Sequence, residues 1–204
     1  MSSLLFRLLA GAGAAYAGIT PVFTASVTTG VAPLAVFFDS TDTTSTQTAA
    51  AWRDCLFGVD SGDTASGNFT YGTRAGQGKR KGLGGPTWGH VYETPGTYTA
   101  TQYVFDGVGY SRRTQTIVVQ DPDVVFSGTN TICCSLTGDF TGAKAGADLQ
   151  TVASLAAAFG FLASGKRVLL NGSDAWTTSA SYYLTGTKDN MVFGSFNGTA
   201  TITM

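Results

Sequence analysis

Few residues in this chain could do chemistry. His90 is the single histidine among 204 residues, so a serine–histidine–aspartate relay or a histidine-based metal site has almost no material to work with. Asp39, Asp42, Asp54, Asp60 and Asp63 could offer oxygens to a cation, but none follows the spacing of a Ca2+-binding helix–loop–helix. Aspartate also caps its own backbone in turns, and turn chemistry is the favoured reading. No carboxylates stand as a visible acid/base pair. The sequence therefore implies no catalytic residue and no cofactor within 1–204, with structural Ca2+ the one candidate metal.

Cys55, Cys133 and Cys134 cannot all pair within one chain. Adjacent Cys133 and Cys134 point to opposite faces of a strand, one toward a core and the other outward. Buried free thiols are favoured over a disulfide, and no C-x-x-C spacing suggests zinc. The run Arg74 to Pro86 carries Arg74, Lys79, Arg80 and Lys81 among glycines but lacks the G-x-x-x-x-G-K-[ST] of a phosphate loop. It could steer a phosphate or an acidic glycan; a solvated surface loop is the favoured reading. Trp88, Trp176, Tyr182 and Tyr183 are candidate glycan or partner contacts, although aromatics more often fill cores and interfaces.

Charged residues make up 12% of the chain and the net charge is -1, which gives no reason to expect a nucleic acid or an anionic membrane as partner. Residues 1–18 form an apolar segment with two readings. Ala15-Tyr16-Ala17 resembles a signal-peptide cleavage site, but no basic residue precedes the apolar run and Arg7 interrupts it. The favoured reading is a retained anchor, with Leu4, Leu5, Phe6, Leu8 and Leu9 buried against a neighbouring subunit.

These residues are carried by a β-rich chain. After Pro95-Gly96, expected as a type II turn, Tyr98, Ala100, Gln102 and Val104 alternate with Thr97, Thr99, Thr101 and Tyr103. Asp106-Gly107 and Gly109 mark the next reversal, and Thr114 to Val119 closes with another strand. Upstream, Gly30-Val-Ala-Pro-Leu-Ala-Val-Phe-Phe-Asp39 puts Leu34, Val36 and Phe38 on one face and Ala35 and Phe37 on the other. With aromatics on both sides, neither face looks fully solvated.

The order His90-x-Tyr92, Pro95-Gly96-x-Tyr98, Asp106-Gly107-x-Gly109, with that G-x-x-P-L-x-V-x-F-D opening, resembles the PKD (polycystic kidney disease-type) domain family. The resemblance implies an immunoglobulin-like β-sandwich and a framework role for His90. The family's compact W-D-F-G-D-G centre is here spread over Trp52 to Asp63 and followed by a Gly-rich insert from Thr64 to Thr87. No site carried by the compact motif is transferred.

Asp121-Pro122-Asp123 reads as a boundary, because proline cannot join a ladder. Beyond it, Val124–Phe126 and Thr131–Leu136 read as short strands. Leu149 to Ala163 has apolar residues at helical spacing and ends at Ser164-Gly165. Short strands with glycine turns follow, to Met204. A capping helix followed by such strands resembles the start of a right-handed parallel β-helix, and a chain still reading as strand at Met204 is expected to be the N-terminal portion of a longer one. The expected fold is mainly β: segment 1–18, a sandwich over 19–121, and the cap and first coils of a β-helix over 122–204.

This architecture implies a non-enzymatic virion protein, the N-terminal part of a phage tail fibre, spike or other appendage. Its expected partners are other virion proteins at the N-terminus, further copies of itself (a trimer by analogy) and a host surface glycan. The alternative is a secreted bacterial protein that binds or degrades polysaccharide.

Overall fold

The computed structural model describes residues 17–69, 75–178 and 191–203. The chain divides into two compact units, 1–121 and 122–204.

In the first unit the strands are β1 (Ile19–Thr20), β2 (Thr24–Ala25), β3 (Thr29–Val31), β4 (Leu34–Asp39), β5 (Thr44–Ser45), β6 (Leu56–Asp60), β7 (Lys81–Gly84), β8 (Thr87–Tyr92), β9 (Gly96–Phe105) and β10 (Tyr110–Gln120), with a one-turn helix α1 (Ala51–Asp54) between β5 and β6. They build a five-stranded sheet in the order β3-β10-β9-β6-β7 and a three-stranded sheet β2-β4-β8, while β1 pairs with β5. The β3–β10 pairing is parallel and the remaining neighbours in both sheets are antiparallel. This is an immunoglobulin-like β-sandwich.

Alternation decides which residues enter the core. Val36 and Phe38 of β4, Tyr92 of β8, Ala100 of β9 and Ile117 and Val119 of β10 are buried together with Phe23 and Val59. A second cluster joins Ile19, Ala51, Cys55, Phe57 and Val104. Tyr98, at the start of β9, donates its hydroxyl to the Thr94 carbonyl at 2.5 Å, the tyrosine corner of immunoglobulin-like sandwiches. A Cβ at Gly96 would lie 3.4 Å from the Tyr98 ring, in ordinary contact with it. Gly96 opens strand β9 and is not among the positive-φ glycines, so the type II turn expected at Pro95-Gly96 is replaced by a strand start. The Gly-rich insert, whose basic run was expected as a solvated surface loop, is partly sheet, since β7 pairs with β6 and Asn68 bridges to Gly78.

The second unit contains the helical turn α2 (Pro122–Val125) and strands β11 (Thr131–Ser135) and β12 (Asp148–Thr151). After helix α3 (Leu155–Phe159) come β13 (Arg167–Asn171), β14 (Trp176–Thr177), β15 (Val192–Phe196) and β16 (Ile202–Thr203). The ladders among its described residues are all parallel. One sheet runs β12-β11-β13-β15, and β14 pairs with β16. Arg167 stands beside Val192 and Trp176 beside Ile202, so two successive strands return one layer further along. The described residues hold one such complete step, which falls short of a solenoid.

Two expectations fail here. The long helix over 149–163 is reduced to 155–159: Asp148–Thr151 instead pairs in parallel with β11, and Ser154 caps the short helix by accepting from Ala157 N at 3.3 Å. Val124–Phe126 is not a strand, because the chain turns helically after Pro122, where proline's missing N–H costs nothing.

Candidate binding face

The inner layer of the sandwich explains His90. Phe23, Phe38, Trp88, His90, Tyr92 and Tyr98 form a continuous row of rings, with neighbouring centroids 4.6 to 5.9 Å apart. His90 Nε2 donates to Asp63 Oδ2 at 3.0 Å, and both side chains are buried. The Tyr92 hydroxyl donates to the Ser61 carbonyl at 2.9 Å, and burial pushes its pKa well above the ordinary phenol value. A histidine held in this way fixes the 61–63 turn to β8. It is buried, and only its edge borders one of the clefts on the outer face of the sheet.

The aspartates behave mostly as turn residues. Asp39, Asp60 and Asp63 each accept the backbone N–H two residues on, from Thr41, Gly62 and Ala65. Asp60 also binds Arg80. Asp54 instead accepts from Thr48 and Arg53.

The outer face of the three-stranded sheet has a different character. Ala35, Phe37 and Asp39 of β4 lie opposite Val91, Gly89 and Thr87 of β8. Phe37 is 68% exposed, so the expectation that neither face of β4 is fully solvated fails for this side chain. Among the described residues no second sheet covers it. Gly89 lies beneath: a Cβ at that position would stand 3.3 Å from the Phe37 ring. The ring therefore rests on its cross-strand neighbour.

Two clefts of about 570 and 580 Å3 meet at Phe37, Trp88 and Gly89. The first continues past Thr24, Ser26 and Asp39, the second past Ser66, Phe69, Lys79, Lys81 and Glu93. Trp88 is half-buried within the inner ring row and offers the clefts only part of its surface. Sequence reasoning passed over Phe37; the legible signal was a large aromatic on the outward phase of β4 with a glycine on the paired strand.

In the second unit Trp176 is fully buried, and its Nε1 donates to the Asn171 carbonyl at 2.8 Å. A ring with no exposed surface cannot stack on a sugar, so Trp176 leaves the set of candidate contacts. Its neighbourhood is held by buried polar groups. Asp174 accepts from Ser135 Oγ, Leu136 N and Thr137 Oγ1. Arg167 donates to Asp123 at 2.6 Å and to Thr131 Oγ1 at 2.9 Å. Asn197 Nδ2 reaches Asn171 Oδ1 at 3.3 Å in the next layer.

Cys55, Cys133 and Cys134 are free and buried. The expectation that one of the adjacent pair faces outward fails, because side chains pack on both faces of β11: Cys134 against Leu155 and Trp176, Cys133 against Leu169 and Phe196. Burial pushes the Cys134 thiol up to about 12. Tyr182, Tyr183 and the anchor residues Leu4, Leu5, Phe6, Leu8 and Leu9 lie outside the described residues.

No family profile matches the chain, and no curated protein does. Among solved structures, 52% of the chain superposes on a protein described under the promiscuous specificity of carbohydrate-binding modules from the β-sandwich superfamily, with 25% identity and a TM-score of 0.39. The match spans 35% of that chain. The PKD domain of the human VPS10 domain-containing receptor SorCS2 matches over 52% of this chain and 74% of its own, with 18% identity and a TM-score of 0.34. At TM-scores this low the sandwich assignment rests on the sheet topology itself.

Proposed function

We propose that the chain is a non-enzymatic structural protein of a virion, the N-terminal part of a tail fibre, spike or similar appendage. In this reading residues 1–18 seat it in the particle, a PKD-type sandwich serves as a rigid connector, and the second unit starts a parallel β-helix that leads toward a receptor-binding region. The supporting observation is the paired parallel step, β13 to β15 and β14 to β16, because stacking coils in register is how a chain builds a stiff shaft from short strands.

The test is the N-terminal mass of the protein from its native source, read together with its fractionation. Recovery with particles, starting at Met1 or Ser2, is expected, and removal of residues 2–17 should then abolish incorporation. Recovery only as free protein starting at Gly18 would sink the reading in favour of a secreted protein that binds or degrades polysaccharide.

A further inference from the structure

We infer that the outer face of β4 and β8 is a binding site for an acidic oligosaccharide, with Phe37 as its platform and Lys79 as the cation that anchors its acid group. This goes beyond the appendage reading, in which the sandwich only connects.

The shape argues for a chain-like ligand. Two clefts of nearly equal volume, about 570 and 580 Å3, flank one exposed ring and share it. Each lies within the usual range for small-molecule sites, roughly 300–1,000 Å3. An oligosaccharide fits this division, with one ring over Phe37 and its neighbours in the clefts. The C–H-rich face of a pyranose carries partial positive charge and meets the negative face of the aromatic ring.

The polar groups argue for the ligand's chemistry. A lysine only donates, a carboxylate only accepts, and the Ser66 hydroxyl, whose proton goes to the Asp63 carbonyl, is left to accept. Sugar hydroxyls, which donate and accept, can satisfy all three kinds along one cleft. The placement of one cation selects an acid. The clefts are lined by Lys79 and Lys81 and by Glu93 and Asp39. Asp60 is engaged by Arg80, and Lys81 lies 3.8 Å from it. Among the described residues Lys79 has no carboxylate within ion-pair distance, which leaves its ammonium for a ligand carboxylate. The basic cluster thereby acquires a role beside the aromatic platform. A single exposed Phe would need no explanation; a ring seated on a glycine between two clefts, one of them bordered by a lysine with no carboxylate partner among the described residues, does.

The experiment is a nuclear magnetic resonance titration of the full chain with tetragalacturonate, and with maltotetraose as the neutral control. Saturable shifts confined to β4, β8 and the 75–81 segment are expected for the acid, weakening as salt rises. Phe37→Ala, at an exposed position, should keep the fold and weaken binding by at least about tenfold. Lys79→Gln should bring the acid's affinity down to that of the neutral sugar. No saturable shift by about 10 mM, equal affinity for both sugars, or unchanged binding by Phe37→Ala would each overturn the proposal. So would line broadening without sugar that Phe37→Ala removes, which would mark a face for self-association instead.

Discussion

The two units differ in the buried polar groups that they leave unpaired. In the parallel unit Thr131, Ser135, Arg167, Asn171 and Asp174 are all buried, and each is hydrogen-bonded across layers or corners. In the sandwich, Gln102 lies wholly inside with neither amide atom paired, and the Ser40 hydroxyl is unpaired as well. The reason is geometric. A coil turning through sharp corners exposes backbone N–H and C=O groups inside the fold, and polar side chains are what close them. A sandwich satisfies its backbone within its two sheets, so its buried polar side chains find partners where they reach a turn or a loop, as His90 and Thr43 do, and Gln102 in mid-strand reaches none. Gln102 sits on β9 between Ala100 and Val104, which belong to different apolar clusters.

The largest test of this contrast is Trp176→Ala. Loss of a fully buried indole and its hydrogen bond should cost about 4 kcal/mol, with amide exchange protection collapsing in β11 to β16 and surviving in β9 and β10. Equal loss in both units would mean that they do not hold themselves together separately. Asp174→Ala should follow at about 3 kcal/mol by denaturant unfolding, because three donors lose their acceptor; Asp174→Asn should restore part of it. The sandwich should respond with the opposite sign: Gln102→Leu is expected to stabilise by about 1 kcal/mol, since it removes an amide buried without partners. A destabilised Gln102→Leu variant would show that the amide has a partner after all.

The smallest effect concerns pH. Hydrogen bonds from Lys144 and Arg167 hold the Asp123 carboxyl below its ordinary value. A depressed folded pKa contributes stability fully above the unfolded value, about 3.9, and loses it as pH falls through the folded one. Asp123 is half exposed, so its pairs are worth under about 1 kcal/mol. Asp123→Asn should flatten the acid limb of the second unit's melting temperature by that small amount and leave the first unit's limb unchanged.

Much of the sandwich could be read from residue order. Period-two alternation in β4 and β9, with turn residues at Asp106-Gly107, specified strands, faces and reversal. Alternation could not say which face of β4 has a covering sheet, and Phe37 was misplaced for that reason. In the second unit, Leu149, Val152 and Leu155 recur at helical spacing, but a strand followed by a corner and a short helix uses the same spacing. The choice between them was made by a non-local parallel partner, β11, which no local pattern contains. His90 was legible as framework, while its partner Asp63 was not, because 27 residues and an insert separate the two.

The three buried thiols have a practical consequence. Exchange and alkylation proceed through the thiolate, and burial raises the pKa of Cys55, Cys133 and Cys134 alike. The folded chain is therefore close to redox-silent: it would pass through an oxidising or a reducing compartment with its covalent structure unchanged. A single cysteine introduced on the surface, at Val91 for instance, would be the only fast-reacting sulfur in the molecule. A dye or a cross-linker could be placed beside Phe37 without first removing any native residue.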